Sequence, residues 1–223
     1  MNSVDGGVVE RDSLTAPCVV LGAAVGVFGV AFGVGAVSAG ATVTMTCVMS
    51  LLVFTGASQF SAVSVIAGGG TVVSALAGAS LLAARNAVYG LTMSRRLQGS
   101  LPLRLIAAQL TIDESTAMAT ARSDEASVRR AFWLTGLSVY VFWNLGTLAG
   151  ALIGTAIDPA TVGLDAAFPA GFAAMVMPHL AHRSGRRAGL IGAAVCLVSI
   201  PFLPVGLPIL CAAVGILVGV PKP

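Results

Sequence analysis

The chain has 223 residues, of which 57% are hydrophobic and 9% charged, where a soluble domain carries about 25% charged residues. With a mean hydropathy of +0.95, so few charges cannot cover a water-facing surface, and so many apolar side chains exclude disorder. Net charge is +3, without the gathered basic face that nucleic acid requires; cytosolic enzymes, nucleic-acid binders and secreted disulfide scaffolds are thereby excluded.

What remains is an all-α integral membrane protein. The expectation is a polytopic helical bundle of about seven transmembrane segments (six to eight), some of them broken or re-entrant. Residues 1–223 read as a single transmembrane domain, with a short polar tail at 1–14. That tail carries Asp5, Glu10 and Asp12. Its acidity and the length of the apolar run behind it do not fit a signal peptide, so no cleavage is expected.

From Ser13 to Ala84 there is no charged residue. Ala39-Gly40-Ala41-Thr42 and Gly68-Gly69-Gly70-Thr71 read as turns, dividing the stretch into spans near 16–38, 43–67 and 72–94. The first contains Gly22, Gly26, Gly29, Gly33 and Gly35, a spacing that lets helices pack closely. The second carries Phe54-Thr55-Gly56-Ala57-Ser58-Gln59-Phe60. Ser58 and Gln59 can serve as helix–helix glue or as substrate contacts, and Gly56 permits a break. The third contains Arg85-Asn86. Arg85 lies ten residues before Arg95, which is about 15 Å along a helix and close to mid-span. A charge there needs an acid, a ligand carboxylate or a cavity.

Arg95, Arg96 and Arg104 form a basic loop. The next stretch, 105–121, is about 25 Å long as a helix, below the ~30 Å of a bilayer core, and it holds Asp113 and Glu114. It reads as a re-entrant or broken segment. Its acids can pair with Arg85, bind a proton, or do both. After Arg122, Asp124, Glu125, Arg129 and Arg130 comes a helix near 131–156 containing Asn144, again glue or substrate contact. A turn at Asp158-Pro159 leads to a span near 161–181. His179 and His182 adjoin a third basic loop, Arg183, Arg186 and Arg187, and read as interfacial. The run 188–220 is cut by Pro201, Pro204 and Pro208 into two short halves.

Basic loops belong on the cytoplasmic side. If the three share that side, 105–121 makes no net crossing. The same rule puts the N-terminus outside if the first three segments all span. Cys18, Cys47, Cys196 and Cys211 lie in apolar stretches without C-x-x-C spacing and read as buried thiols. No His/Cys/Asp/Glu group has metal spacing, no glycine motif follows a strand, and Ser58 has no nearby His, so neither metal, nucleotide cofactor nor acyl-transfer chemistry is expected.

Five pieces in order resemble the AzlC family, the large subunit of branched-chain amino-acid exporters. They are Ser50 to Phe60, Arg85 with Tyr89-Gly90, Ile112-Asp113-Glu114, Trp143-Asn144-Leu145-Gly146-Thr147, and Gly163-Leu164-Asp165-Ala166-Ala167-Phe168-Pro169. Where family members often read Asn-x-Arg-His, this chain has Ala83-Ala84-Arg85-Asn86, so the Arg is kept and the flanking Asn and His are not. The resemblance implies export of valine, leucine and isoleucine, with methionine a further candidate, across a bacterial inner membrane. It also implies a small hydrophobic AzlD-type partner.

An amino-acid zwitterion asks for a cation, an anion and an apolar pocket. Arg85, with Asn86, Gln59, Ser58 and Asn144, supplies candidate polar contacts; Phe54 and its neighbours supply the pocket. Asp113 and Glu114 supply the ammonium partner and a candidate proton site. A channel-like pore, formed as a higher oligomer, and a scaffold subunit of a membrane complex are the alternatives.

Overall fold

The computed structural model describes residues 6–156, 170, 173, 176, 177, 179–215 and 217, with side chains from Leu14 onward. Among these residues every regular element is helical. In chain order they are α1 (Gly6–Ser38), α2 (Val43–Leu52), α3 (Ala57–Ala67), α4 (Val72–Ser94), α5 (Leu101–Gln109), α6 (Asp113–Thr120), α7 (Glu125–Ala156), a 3₁₀ turn (His179–Ala181), α8 (Arg183–Ser199) and α9 (Leu207–Ala212). Three of them contain stretches long and apolar enough to cross a membrane: Leu14–Ser38, Val72–Ser94 and Glu125–Ala156. The expected span at 161–181 lies largely outside the described residues.

Local chemistry sets most of the boundaries. Thr42 and Thr71 cap α2 and α4 by accepting the N–H groups of Met45 and Ser74, both at 3.1 Å, which satisfies donors that the first helical turn leaves open. The turns before them contain Gly40 at φ 93° and Gly69 at φ 80°, where an L side chain would be strained. α8 stops at Ser199, just ahead of Pro201, whose missing N–H cannot continue the helix.

The central pair is α1 against α7. A Cβ on Gly22 would lie 2.7 Å from Ser138 Cβ, and one on Gly26 would lie 2.8 Å from Phe142 Cβ. Further along, Cβ atoms on Gly33 and Gly150 would run into the carbonyl oxygens of Thr147 and Val30. Two backbones approach this closely only where both helices present small residues. Residue numbers rise together along the seam, so the two helices are parallel. Thr15, in the first half of α1, accordingly meets Arg130 in the first turns of α7, and the Thr135 hydroxyl donates to Cys18 Sγ at 3.2 Å. Beyond the seam, Phe32, Phe60 and Trp143 form one aromatic cluster, with ring centroids 5.7–6.1 Å apart.

The span expected near 43–67, in which Gly56 permits a break, is two helices. Gly56, at φ 60° and ψ −92°, occupies backbone space that side chains rarely enter, and residues 53–56 are not helical. The chain also reverses there. Gln59 Nε2 donates to the carbonyl of Met49 at 3.4 Å. Had α2 run straight on, ten residues would separate the two by about 15 Å, beyond the reach of a glutamine. The stretch 105–121 is broken as well, into α5 and α6 around Leu110–Ile112.

Candidate functional site

Each break leaves backbone groups without helical partners, and polar side chains take them up. Gln109 Nε2 donates to the carbonyls of Leu51 at 2.9 Å and Leu52 at 3.3 Å, and the Tyr140 hydroxyl adds a bond to Leu51 at 3.2 Å. Gln59 Oε1 accepts from the N–H groups of Gly56 at 3.2 Å and Thr55 at 3.5 Å. At the second break, the Ser115 hydroxyl donates to Leu110 O at 2.6 Å and accepts the Ile112 N–H at 3.1 Å.

Arg85 joins the two breaks. Its Nη2 donates to the Thr55 carbonyl at 3.3 Å, and its Nη1 lies 2.9 Å from Asp113 Oδ2. Tyr89, one turn along α4, donates its hydroxyl to Asp113 Oδ1 at 2.6 Å. Asp113 and Glu114 open α6, where the exposed N–H groups favour negative charge. The Arg85 and Asp113 side chains keep 32% and 36% of their surface accessible. A pair sealed for structural reasons alone would not; this one faces a cavity.

That cavity holds about 750 Å³, within the ~300–1,000 Å³ of small-molecule sites. Val25 and Phe28 of α1, Phe54 to Ala57 of the first break, Leu82, Arg85 and Tyr89 of α4, and Val139 and Trp143 of α7 line it. α6 contributes Asp113, Glu114, Thr116, Ala117 and Thr120, with Ile112 beside them, and Val176 and His179 complete it. The wall is apolar except at one charged end and along the α6 face.

The structure brings four of the eight sequence-nominated residues to this cavity: Phe54, Arg85, Asp113 and Glu114. Gln59, fully buried, holds the reversal behind it. Ser58, Asn86 and Asn144 are not among its lining residues. Asn144 Nδ2 instead donates to its own helix at Tyr140 O, 2.8 Å away. Tyr89 was noted in the sequence only within the piece Arg85 with Tyr89-Gly90 and given no site role, though it lies four residues from Arg85 and hence on the same helical face. Gln109 and Tyr140 had no local signal, because each matters through a partner distant in sequence.

The family model described as AzlC protein matches residues 20–157, more than half of the chain. Two Helicobacter pylori proteins described as uncharacterized membrane proteins are similar to it. They are 24% and 23% identical over 174 and 172 residues, and 76% of this chain and 75–76% of each relative are covered. The Bacillus subtilis branched-chain amino acid transport protein AzlC is 22% identical over 200 residues, covering 87% of this chain and 79% of its own length. No solved structure matches the chain.

Proposed function

This chain belongs to the AzlC protein family, a family of membrane transport proteins, and from that premise we propose that it carries branched-chain amino acids across a bacterial inner membrane. The observation that carries this reading is the Arg85–Asp113–Tyr89 centre at one end of a largely apolar cavity of about 750 Å³. A branched-chain amino acid is a zwitterion with a greasy side chain. Arg85 offers its carboxylate a cation, Asp113 and Glu114 offer its ammonium an anion, and Phe54, Phe28, Leu82 and Val139 offer its side chain an apolar wall. The name of the Bacillus subtilis relative supports the same substrate class.

The topology fits alternating access around a central site. α1 and α7 are parallel, so if α1, α4 and α7 each cross once, the segments α2–α3 and α5–α6 either both cross or both turn back. The Gln59–Met49 bond marks a reversal in the first, so both turn back, and their tips meet at Arg85. Helix interruptions at mid-membrane are where carriers place their sites. The start of α1 then shares a side with Arg122, Arg129 and Arg130, which is the cytoplasmic side by the positive-inside rule. On this reading the N-terminus lies inside, whereas an outside N-terminus belongs to the case in which all three early segments span.

Export as the direction, coupling to protons through Asp113 or Glu114, and a small AzlD-type partner complete the proposal. The test is counterflow of labelled leucine in proteoliposomes, with and without that partner. Arg85→Ala and Asp113→Asn should each abolish exchange, and undiminished exchange in both would sink the assignment. Flux indifferent to an imposed proton gradient would remove the coupling. Non-saturable flux would favour a pore, and full activity of the partner alone would make this chain a scaffold.

A further inference from the structure

The charges on the cavity wall do not balance. Besides Glu114, four ionisable side chains line it: Arg85 and Tyr89 of α4, Asp113 of α6 and His179 of the 3₁₀ turn. Among the described lining residues, α1, α7 and the first break contribute none. Arg85 and Asp113 are counter-ions at 2.9 Å, and the Tyr89 hydroxyl takes the other Asp113 oxygen at 2.6 Å. Asp113 is thereby engaged on both oxygens, and its charge is matched.

Glu114 differs from its neighbour. Among the described residues, its carboxylate has no hydrogen bond or ion pair to another residue. Its oxygens are not sealed from solvent either, so the half-buried side chain opens on the cavity it lines. Arg85 and Asp113 are the charges that act on it, and as a pair they cancel. With histidine neutral, one guanidinium against two carboxylates leaves this end of the cavity with one unmatched negative charge. A ligand carboxylate approaching Arg85 meets one cation and two anions, and the sum repels it. An ammonium approaching Glu114 meets the same three charges, and the sum attracts it. Away from bulk water, little screens either sum.

We propose that Glu114 is the anchor of the site and recognises the ammonium of the cargo. The ligand class of the cavity is then the apolar ammonium ion, and branched-chain amino acids are the members of it that also carry a carboxylate. This rests on the transport reading and narrows it. Of the charged side chains offered to the zwitterion there, Glu114 decides binding, while Arg85 and Asp113 neutralise each other and brace the two helix breaks. An ammonium brings three N–H donors to a carboxylate that has no other use for its lone pairs, and the apolar walls take the branched chain.

The test divides leucine into its two charged halves. Isoamylamine is leucine without the carboxylate, and isocaproate has the same branched chain with a carboxylate and no ammonium. Each competes with labelled leucine for the protein in nanodiscs, beside direct binding of labelled isoamylamine. Isoamylamine should displace leucine at least about tenfold more readily than isocaproate, the difference made by one hydrogen bond to a charged group. Glu114→Gln keeps the shape and loses the charge; it should weaken isoamylamine by at least about tenfold and leave isocaproate no weaker. Glu114→Asp keeps the charge and should keep the preference for the amine. Isocaproate displacing leucine as well as isoamylamine does, or a preference for the amine that survives in Glu114→Gln, overturns the anchor. If Glu114→Gln does not fold, the comparison of the two halves on wild type decides. Wild type that binds isoamylamine but no leucine overturns the amino-acid reading and supports the anchor, whereas wild type that binds neither overturns both.

Discussion

Replacing Gln59 by Leu tests whether one buried amide holds the reversal of the first hairpin. The side chain is fully buried and makes three bonds, to Gly56 N–H at 3.2 Å, Thr55 N–H at 3.5 Å and Met49 O at 3.4 Å. All three are long, so each falls near the lower end of the ~0.5–1.5 kcal/mol that a hydrogen bond contributes net. Leucine keeps the bulk but leaves the three backbone groups open. Thr55, Gly56 and Met49 are only half-buried, and partial hydration offsets some of their exposure. Together these give a loss of about 2 kcal/mol, or a fall in melting temperature of about 4–8 °C for a chain of this size. The assay is thermal unfolding in nanodiscs, run beside leucine counterflow. Exchange should fall further than the stability loss explains, because the loosened loop carries the Thr55 carbonyl away from Arg85. Gln59→Glu should lie between the two, since a carboxylate still accepts from Gly56 and Thr55 but cannot donate to Met49. A Gln59→Leu protein with wild-type melting and exchange would refute the reasoning and leave Gln59 as a space-filling side chain.

The helix seam and the start of α7 give further predictions. Gly150→Ala places a Cβ against the Val30 carbonyl, with Val30 C at 2.8 Å, and should destabilise by about 1–3 kcal/mol, the usual range for overpacking. Gly90→Ala, on the open face of α4 with nothing within 4 Å, should be neutral or stabilise by up to about 1 kcal/mol through helix propensity; the same melting curves compare the two, and equal shifts would contradict the seam. Asp124 accepts the Ser127 N–H at 2.8 Å; this bond, with help from the Ser127 hydroxyl, holds its carboxyl below the ordinary value. Because the folded value is the lower one, the cap's contribution is complete above about pH 4 and is lost as pH falls below that. The protection of the Ser127 amide, taken against its intrinsic exchange rate at each pH, should therefore fall on acidification in wild type, but not in Asp124→Ala.

Much of this was legible in the sequence because the signals are local. α4 begins and ends where the glycine turn, the Thr71 cap and Arg95 place it. The breaks in 43–67 and 105–121 could be read from Gly56 and from two acids in a short segment. The reversal at Gln59 could not, because it depends on a contact ten residues back. The site residues divide in an instructive way. Phe54, Arg85, Asp113 and Glu114 line the cavity, whereas Ser58, Asn86 and Asn144 do not. Each of the latter three follows a residue that does: Ala57, Arg85 and Trp143. Neighbours on a helix point about 100° apart, so only one of each doublet faces the cavity. In two of these doublets polarity singled out Ser58 and Asn144, whereas the cavity is lined by Ala57 and Trp143.

A mid-span arginine and two interrupted helices would each be costly alone in a lipid environment. Breaks expose carbonyls and N–H groups that hydrocarbon cannot satisfy, and a lone guanidinium is expensive at that depth. Here each meets part of the other's need. The Thr55 carbonyl, left open by the first break, accepts from Arg85, and Asp113, at the start of the helix after the second, neutralises it. The same economy creates a mechanical constraint. Arg85 stands on α4 but is bonded to both hairpin tips, so any displacement of one tip relative to the other must stretch or exchange one of its bonds. A ligand that supplies a replacement acceptor lowers the cost of that exchange, whereas an empty cavity does not. On the proposed transport reading, occupancy and movement are coupled through this one side chain, which is the property that separates a carrier from a pore.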